Sequence, residues 1–285
     1  MAVAPMTKFE KIPTLQTAIK ELCGNRKIQS GKHIKPLTQY CATRLVLEGG
    51  FPPEWISPRP PFASVKTSNS IYELEYAPGE ADESEARVLG GIKYKDVDIT
   101  VVVPGVGPAL AVSVKNTGNA FRNLTNRMEE ALGECTNVHL MYPGFVFGFL
   151  HFLRFRTIEE AEKPDASFTK IGEPLPAITR YHEVMNSLSG RRLITDPVMR
   201  YEAVGLVVYS CDPDAEIWKG FPPPSSEVHF SKFFDVLYKL YDLRYAYPDP
   251  DGSNIRKEWN LSVDMKETVL DKSVSFPWTV RRESE

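Results

Sequence analysis

The sequence predicts a single α/β domain: a central mixed β-sheet flanked by helices. Strand-like and helix-like stretches alternate along 285 residues without a composition break, and an alternating hairpin stands in the middle of them. A hydrophobic content of 42% beside 25% charged residues supports a globular chain that buries a sizeable core.

The elements follow in order. KPLTQYCATRLVLE, residues 35–48, sets Leu37, Tyr40, Cys41, Arg44, Leu45 and Glu48 at helical spacing, and Gly49-Gly50 stops that helix. FPPEWISPRPPF, residues 51–62, is too proline-rich for a helix and reads as an extended crossing; PGEADESE, residues 78–85, is an acidic loop. YKDVDITVVV then alternates with period two, PGVGP turns the chain, and ALAVSVK returns. A helix is expected from about Asn119 to Glu134, followed by NVHLMY as a strand; GFVFGFLHFLRF fits either a strand or a buried helix, with helix preferred. A polar loop near residues 157–174 leads to a helix around Ile178–Leu188. YEAVGLVVYS, residues 201–210, is a strand, and residues 227–245 form a helix with Phe230, Phe233, Phe234, Leu237, Tyr238 and Tyr241 on one stripe. The tail from residue 250 reads as peripheral.

Composition narrows the function. A net charge of -3 argues against a coat-like nucleic-acid binder but leaves room for a local basic cleft. The chain shows neither a signal-peptide pattern nor an apolar run long enough to span a membrane, so a cytoplasmic setting without membrane contact is expected. Cys23, Cys41, Cys135 and Cys211 lie far apart and read as free buried thiols. The five histidines have no metal-ligand spacing. Trp55 and Trp218, beside prolines or in loops, read as anchors, and Arg191-Arg192 as a solvated turn or a phosphate contact.

A four-residue loop at Gly105–Pro108 would set Thr100 opposite Ser113 and Asp98 opposite Lys115. Asp96 and Asp98 then share a face with Ser113 and Lys115, while Val97, Ile99, Val112 and Val114 cover the other. On the following helix, Phe121, Leu124, Met128, Ala131, Leu132 and Cys135 form an apolar stripe, with Arg122, Thr125, Asn126 and Glu129 along one flank. That phase turns Glu129 inward and Glu130 away. An aspartate, a lysine and a glutamate meeting at a sheet edge suit phosphodiester hydrolysis, in which carboxylate-held Mg²⁺ and a lysine offset charge developing on phosphorus.

Asp98, the hairpin and Ser113-Val114-Lys115 resemble the PD-(D/E)XK nuclease motif, with Ser113 in the second acidic slot. The same departure marks a group of type II restriction endonucleases that cut CCGG-containing sites. There a glutamate about four helical turns past the lysine restores the carboxylate, and here Glu129 is fourteen residues beyond Lys115. The resemblance covers mainly residues 90–155. It implies a restriction endonuclease-like domain over residues 1–285, with a catalytic core at about 35–245. It also implies Mg²⁺-dependent cleavage of double-stranded DNA by a homodimer. On that reading Asp98, Ser113, Lys115, Glu129 and an accessory Glu48 form the catalytic set, and Asp98 and Glu129 hold the metal. Asn116, Asn119, Arg122 and Asn126 are the candidate DNA contacts. Two other readings stay open: a nuclease-fold DNA binder without catalysis, and an unrelated α/β interaction protein whose polar helix forms an interface.

Overall fold

The computed structural model describes residues 12–24, 34–68, 71–118, 121–161, 165–212, 214–246, 256–261, 265 and 280–281. In chain order its helices and strands are α1 (Leu15–Gly24), α2 (Lys35–Leu47), β1 (Ile56–Ser57), β2 (Phe62–Ser68), β3 (Ile71–Tyr76), β4 (Ala86–Val88), β5 (Lys95–Val97), β6 (Ile99–Val103), β7 (Gly107–Thr117), α3 (Leu124–Met141), β8 (Val146–Arg154), α4 (Pro176–Leu188), β9 (Ala203–Ser210), β10 (Glu216–Ile217), α5 (Phe233–Arg244) and β11 (Trp259–Leu261). Six strands make the central sheet in the order β1-β6-β7-β8-β9-β10. The β6–β7 hairpin is antiparallel, whereas β7, β8 and β9 run parallel through crossovers carrying α3 and α4. The sheet is therefore mixed, with helices on both faces, as the alternation of patterns predicts.

Alternate residues of each strand feed separate cores. Ile99, Val101, Val112, Val114, Leu150 and Phe152 pack with α1, α2 and α5 on one face. Ala111, Phe147, Phe149, Val204 and Leu206 pack with α3 and α4 on the other. Parallel strands covered on both sides lose the hydrophobic–polar alternation. This is why GFVFGFLHFLRF, expected as a helix, is strand β8. At Gly148 an added Cβ would stand 2.7 Å from the Phe233 ring, so the missing side chain lets α5 settle onto β8.

Three further expectations are corrected. NVHLMY continues α3 instead of forming a strand, because Cys135 and Val138 extend the stripe begun by Leu124 and Ala131 into the α4-side core. The tail is not wholly peripheral: β11 pairs with β3, Arg256 and Lys257 are buried, and the Trp259 indole donates to the Val46 carbonyl at 2.6 Å. Cys23 and Cys211 are joined in a disulfide with Cα atoms 5.6 Å apart, whereas Cys41 and Cys135 are free and buried. Among the described residues, no helix is long and apolar enough to cross a membrane.

Arg191 belongs to the scaffold, not to a turn. It is fully buried, and its guanidinium donates to Glu202 Oε1 at 2.7 Å and to the carbonyls of Pro143 and Ile194. Arg244 from α5 donates to the same carboxylate oxygen at 2.6 Å, while Oε2 accepts the Phe147 amide at 2.8 Å. One carboxylate thus ties the loop after α4, the start of β8 and the end of α5.

A candidate metal and phosphate site at the hairpin

Asp98 sits at the joint between two strands. Residues before it, in β5, pair with β4; residues after it, in β6, pair with β7 and β1. The chain bends here, and the aspartate side chain takes over where the β6–β7 ladder ends. Its Oδ2 accepts the Val114 amide at 2.8 Å, the Ser113 hydroxyl at 3.1 Å and the Lys115 ammonium at 3.2 Å. The register differs from the expected one. Ile99 lies opposite Val112, a three-residue turn joins the strands, and a bulge follows Val101. Extending that pairing sets Asp98 opposite Ser113 and diagonal to Lys115. The shift is by two residues, so every side chain keeps its face; Asp98 and Lys115 still meet.

The glutamate that joins them is Glu134. It lies in the middle of α3, 5% exposed, with Oε2 3.1 Å from the Ser113 hydroxyl and Oε1 3.5 Å from the Lys95 ammonium. Ser113 stands between the two carboxylates with one hydroxyl proton, so it donates to one of them at a time. Burial, reinforced by Asp98, pushes the Glu134 carboxyl above its ordinary range against the pull of Lys115 and Lys95. Burial also opposes the Lys115 charge, but Asp98 and Glu134 outweigh it and raise the ammonium pKa. Lys115 therefore stays a cation at neutral pH.

Glu129 is exposed, about 160° around the helix from the buried Ala131. Glu130, one turn before Glu134 on the same flank, pairs with Arg127 at 2.7 Å. Burial raises its pKa, but the Arg127 hydrogen bond and Lys115 bring the carboxyl below its usual value. The signal for Glu134 was present in the sequence: Ala131, Cys135 and Val138 keep one stripe through residues read as a strand, and Glu134 flanks that stripe by about 60°. A second unforeseen acid is Glu85, opposite Asp98 when the β4–β5 register is extended by one pair. Burial and the neighbouring Asp98 raise its carboxyl pKa.

The remaining candidates fall elsewhere. Glu48 ends α2, where the Arg44 guanidinium donates to both its oxygens at 2.7 and 2.9 Å. Asn116 is on the opposite face from Lys115 and accepts from the Tyr209 hydroxyl at 2.9 Å. Asn126 is exposed on α3, and Arg122 lies in the turn Phe121–Asn123 that precedes it. Asn119 lies outside the described residues.

Beside Lys115 in the β7–β8 register is His151, fully buried. Its Nδ1 is hydrogen-bonded to the Tyr181 hydroxyl at 2.6 Å, and its Nε2 to Thr117 Oγ1 at 3.0 Å. Burial, with Arg127 and Lys115 nearby, lowers its pKa to about 3, so the ring is neutral at physiological pH. This chain anchors the end of β7 to α4 and holds no second base for the site.

Among the described residues, no group of three or more histidine, cysteine or acidic side chains is placed to hold a metal. Asp98 and Glu134 offer hard carboxylate oxygens, and Glu134 Oε1 is buried without a hydrogen bond. Magnesium commonly takes only one or two protein carboxylates, so the donor set suits that ion. No protein-family model, curated protein or solved structure matches this chain.

Proposed function

We propose that the chain is a Mg²⁺-dependent endonuclease with Asp98, Ser113, Lys115 and Glu134 as its working residues. The observation that carries this reading is their convergence through contacts of 3.1–3.2 Å at the end of one hairpin. The order hairpin, helix, parallel strand supports a restriction endonuclease-like core. The proposal keeps the Asp-Ser-Lys part of the motif and takes Glu134, nineteen residues beyond Lys115, in place of Glu129.

Each residue has a physical part. Asp98 and Glu134 would hold the ion, which when bound supplies Lewis-acid stabilisation of the phosphate. Ser113 fixes the separation of the two carboxylates. Lys115, held charged by Asp98 and Glu134, offsets charge building on the phosphoryl oxygens; it is unsuited to act as a base at neutral pH. Water activation falls to the carboxylates.

Double-stranded DNA is the proposed substrate and a homodimer the functional unit, because symmetric cutting of both strands is simplest with two related centres. A monomer in sedimentation with DNA present would remove the dimer. Incubation with supercoiled plasmid tests the activity: nicked or linear product is expected with Mg²⁺ and none with EDTA. DNA binding without cleavage in Mg²⁺ would assign the chain to the catalytically silent alternative, and neither binding nor cleavage would leave an interaction protein.

A further inference from the structure

We propose that Lys95 is the resident counter-cation of the metal site, occupying Glu134 when no metal is bound and leaving it when a divalent ion enters. The proposal rests on the reading of Asp98 and Glu134 as metal ligands. It concerns a residue to which the resemblance assigns no role, carried by the short strand β5, which pairs with β4 rather than with the central sheet.

Charge is the first argument. Two carboxylates, Asp98 and Glu134, face two ammonium groups, Lys115 and Lys95. These four charges balance; Glu130 is paired with Arg127, and Glu85 beside Asp98 adds a negative charge at the exposed rim. A divalent ion added beside both lysines would still leave positive charge in excess around the largely buried groups, which is costly where solvent screening is weak.

Geometry decides which lysine yields. Lys115 Nζ is 3.2 Å from Asp98 Oδ2, an oxygen that also accepts the Val114 amide and the Ser113 hydroxyl. Lys95 Nζ is 3.5 Å from Glu134 Oε1, beyond good hydrogen-bond length, and that oxygen has no hydrogen-bond partner. The Lys95 side chain is 26% exposed against 18% for Lys115, so its ammonium can return to water by rotation of its own stem. The oxygen it would vacate is the one a metal would need. Metal binding is then an exchange of one cation for another, and Lys95 lowers the apparent affinity.

The test is equilibrium binding of Mn²⁺ alone, with the free ion read by electron paramagnetic resonance. Wild type is compared with Lys95→Met, Lys95→Gln and Asp98→Asn, all verified as folded by circular dichroism. Removing the competing charge should tighten Mn²⁺ binding about tenfold or more in both Lys95 variants, and Asp98→Asn should weaken it. Affinity unchanged within about twofold in both Lys95 variants, with Asp98→Asn still weakening it, would overturn the role of Lys95 and leave the metal site standing. No saturable Mn²⁺ binding in wild type or in either Lys95 variant would overturn both.

Discussion

Replacing Glu202 by alanine should cost more stability than any change at the candidate site. The carboxylate accepts from Arg191 at 2.7 Å, from Arg244 at 2.6 Å and from the Phe147 amide at 2.8 Å, and Arg191 and Glu202 are both fully buried. Removal leaves the Arg191 charge without its anion in a place water does not reach. Breaking one partner of such a buried pair costs about 3–5 kcal/mol. In a domain of this size each kcal/mol moves the melting temperature by about 2–4 °C, so a fall on the order of 10 °C is expected. Urea unfolding followed by circular dichroism should show a lower midpoint with an unchanged slope. The pH dependence has a defined sign. Burial opposes ionisation of Glu202, but His139, Arg244 and Arg191 outweigh it and depress its folded pKa. Its stabilisation is therefore present above the ordinary glutamate range and lost as pH falls through the lower, folded value. The deficit of the variant should thus persist at pH 5 and shrink only in stronger acid. A loss below about 1 kcal/mol at pH 7 would refute the argument, because it would mean that Arg191 finds other anions or water.

Two further outcomes follow from the same structure. Glu134→Gln should melt higher than wild type at pH 8, since a carboxyl with a raised folded pKa is costly to ionise in the native state. That advantage should vanish as pH falls to the unfolded glutamate value of about 4.3; an advantage that grows in acid would contradict the assignment. Non-reducing peptide mapping should recover Cys23 linked to Cys211 across 188 residues, and reduction should lower stability by up to about 5 kcal/mol on the loop-entropy account. Free thiols at both positions in protein purified without reductant would exclude the bond.

The sequence disclosed the hairpin and the shared face of Asp98, Ser113 and Lys115, because alternation by two survives a register error of two. The same logic failed on α3. Its start was set at Asn119 and its end at Glu134, whereas the helix spans Leu124–Met141. The expected stripe counts Leu132, which is exposed, and stops short of Val138, which is buried; together these tilt the phase so that Glu129 reads as the inward acid in place of Glu134. Strand β8 is ambiguous in the sequence, with helix preferred, because burial on both faces erases the periodicity that separates strand from helix. Lys95 and Glu85 were out of reach for another reason: they enter through the small β4–β5 pair, a contact no local pattern announces. The Cys23–Cys211 bond likewise depends on α1 lying beside the end of β9, a long-range arrangement that spacing does not encode.

The most direct test compares plasmid cleavage in Mg²⁺ by wild type, Glu134→Gln and Glu129→Gln at matched folding. The buried glutamine should lower the rate by about a hundredfold or more, the scale of losing one preorganised electrostatic group. The exposed one should leave the rate within about twofold. Equal rates for all three proteins, or loss confined to Glu129→Gln, would contradict the account of Glu134 as the acid that completes the site.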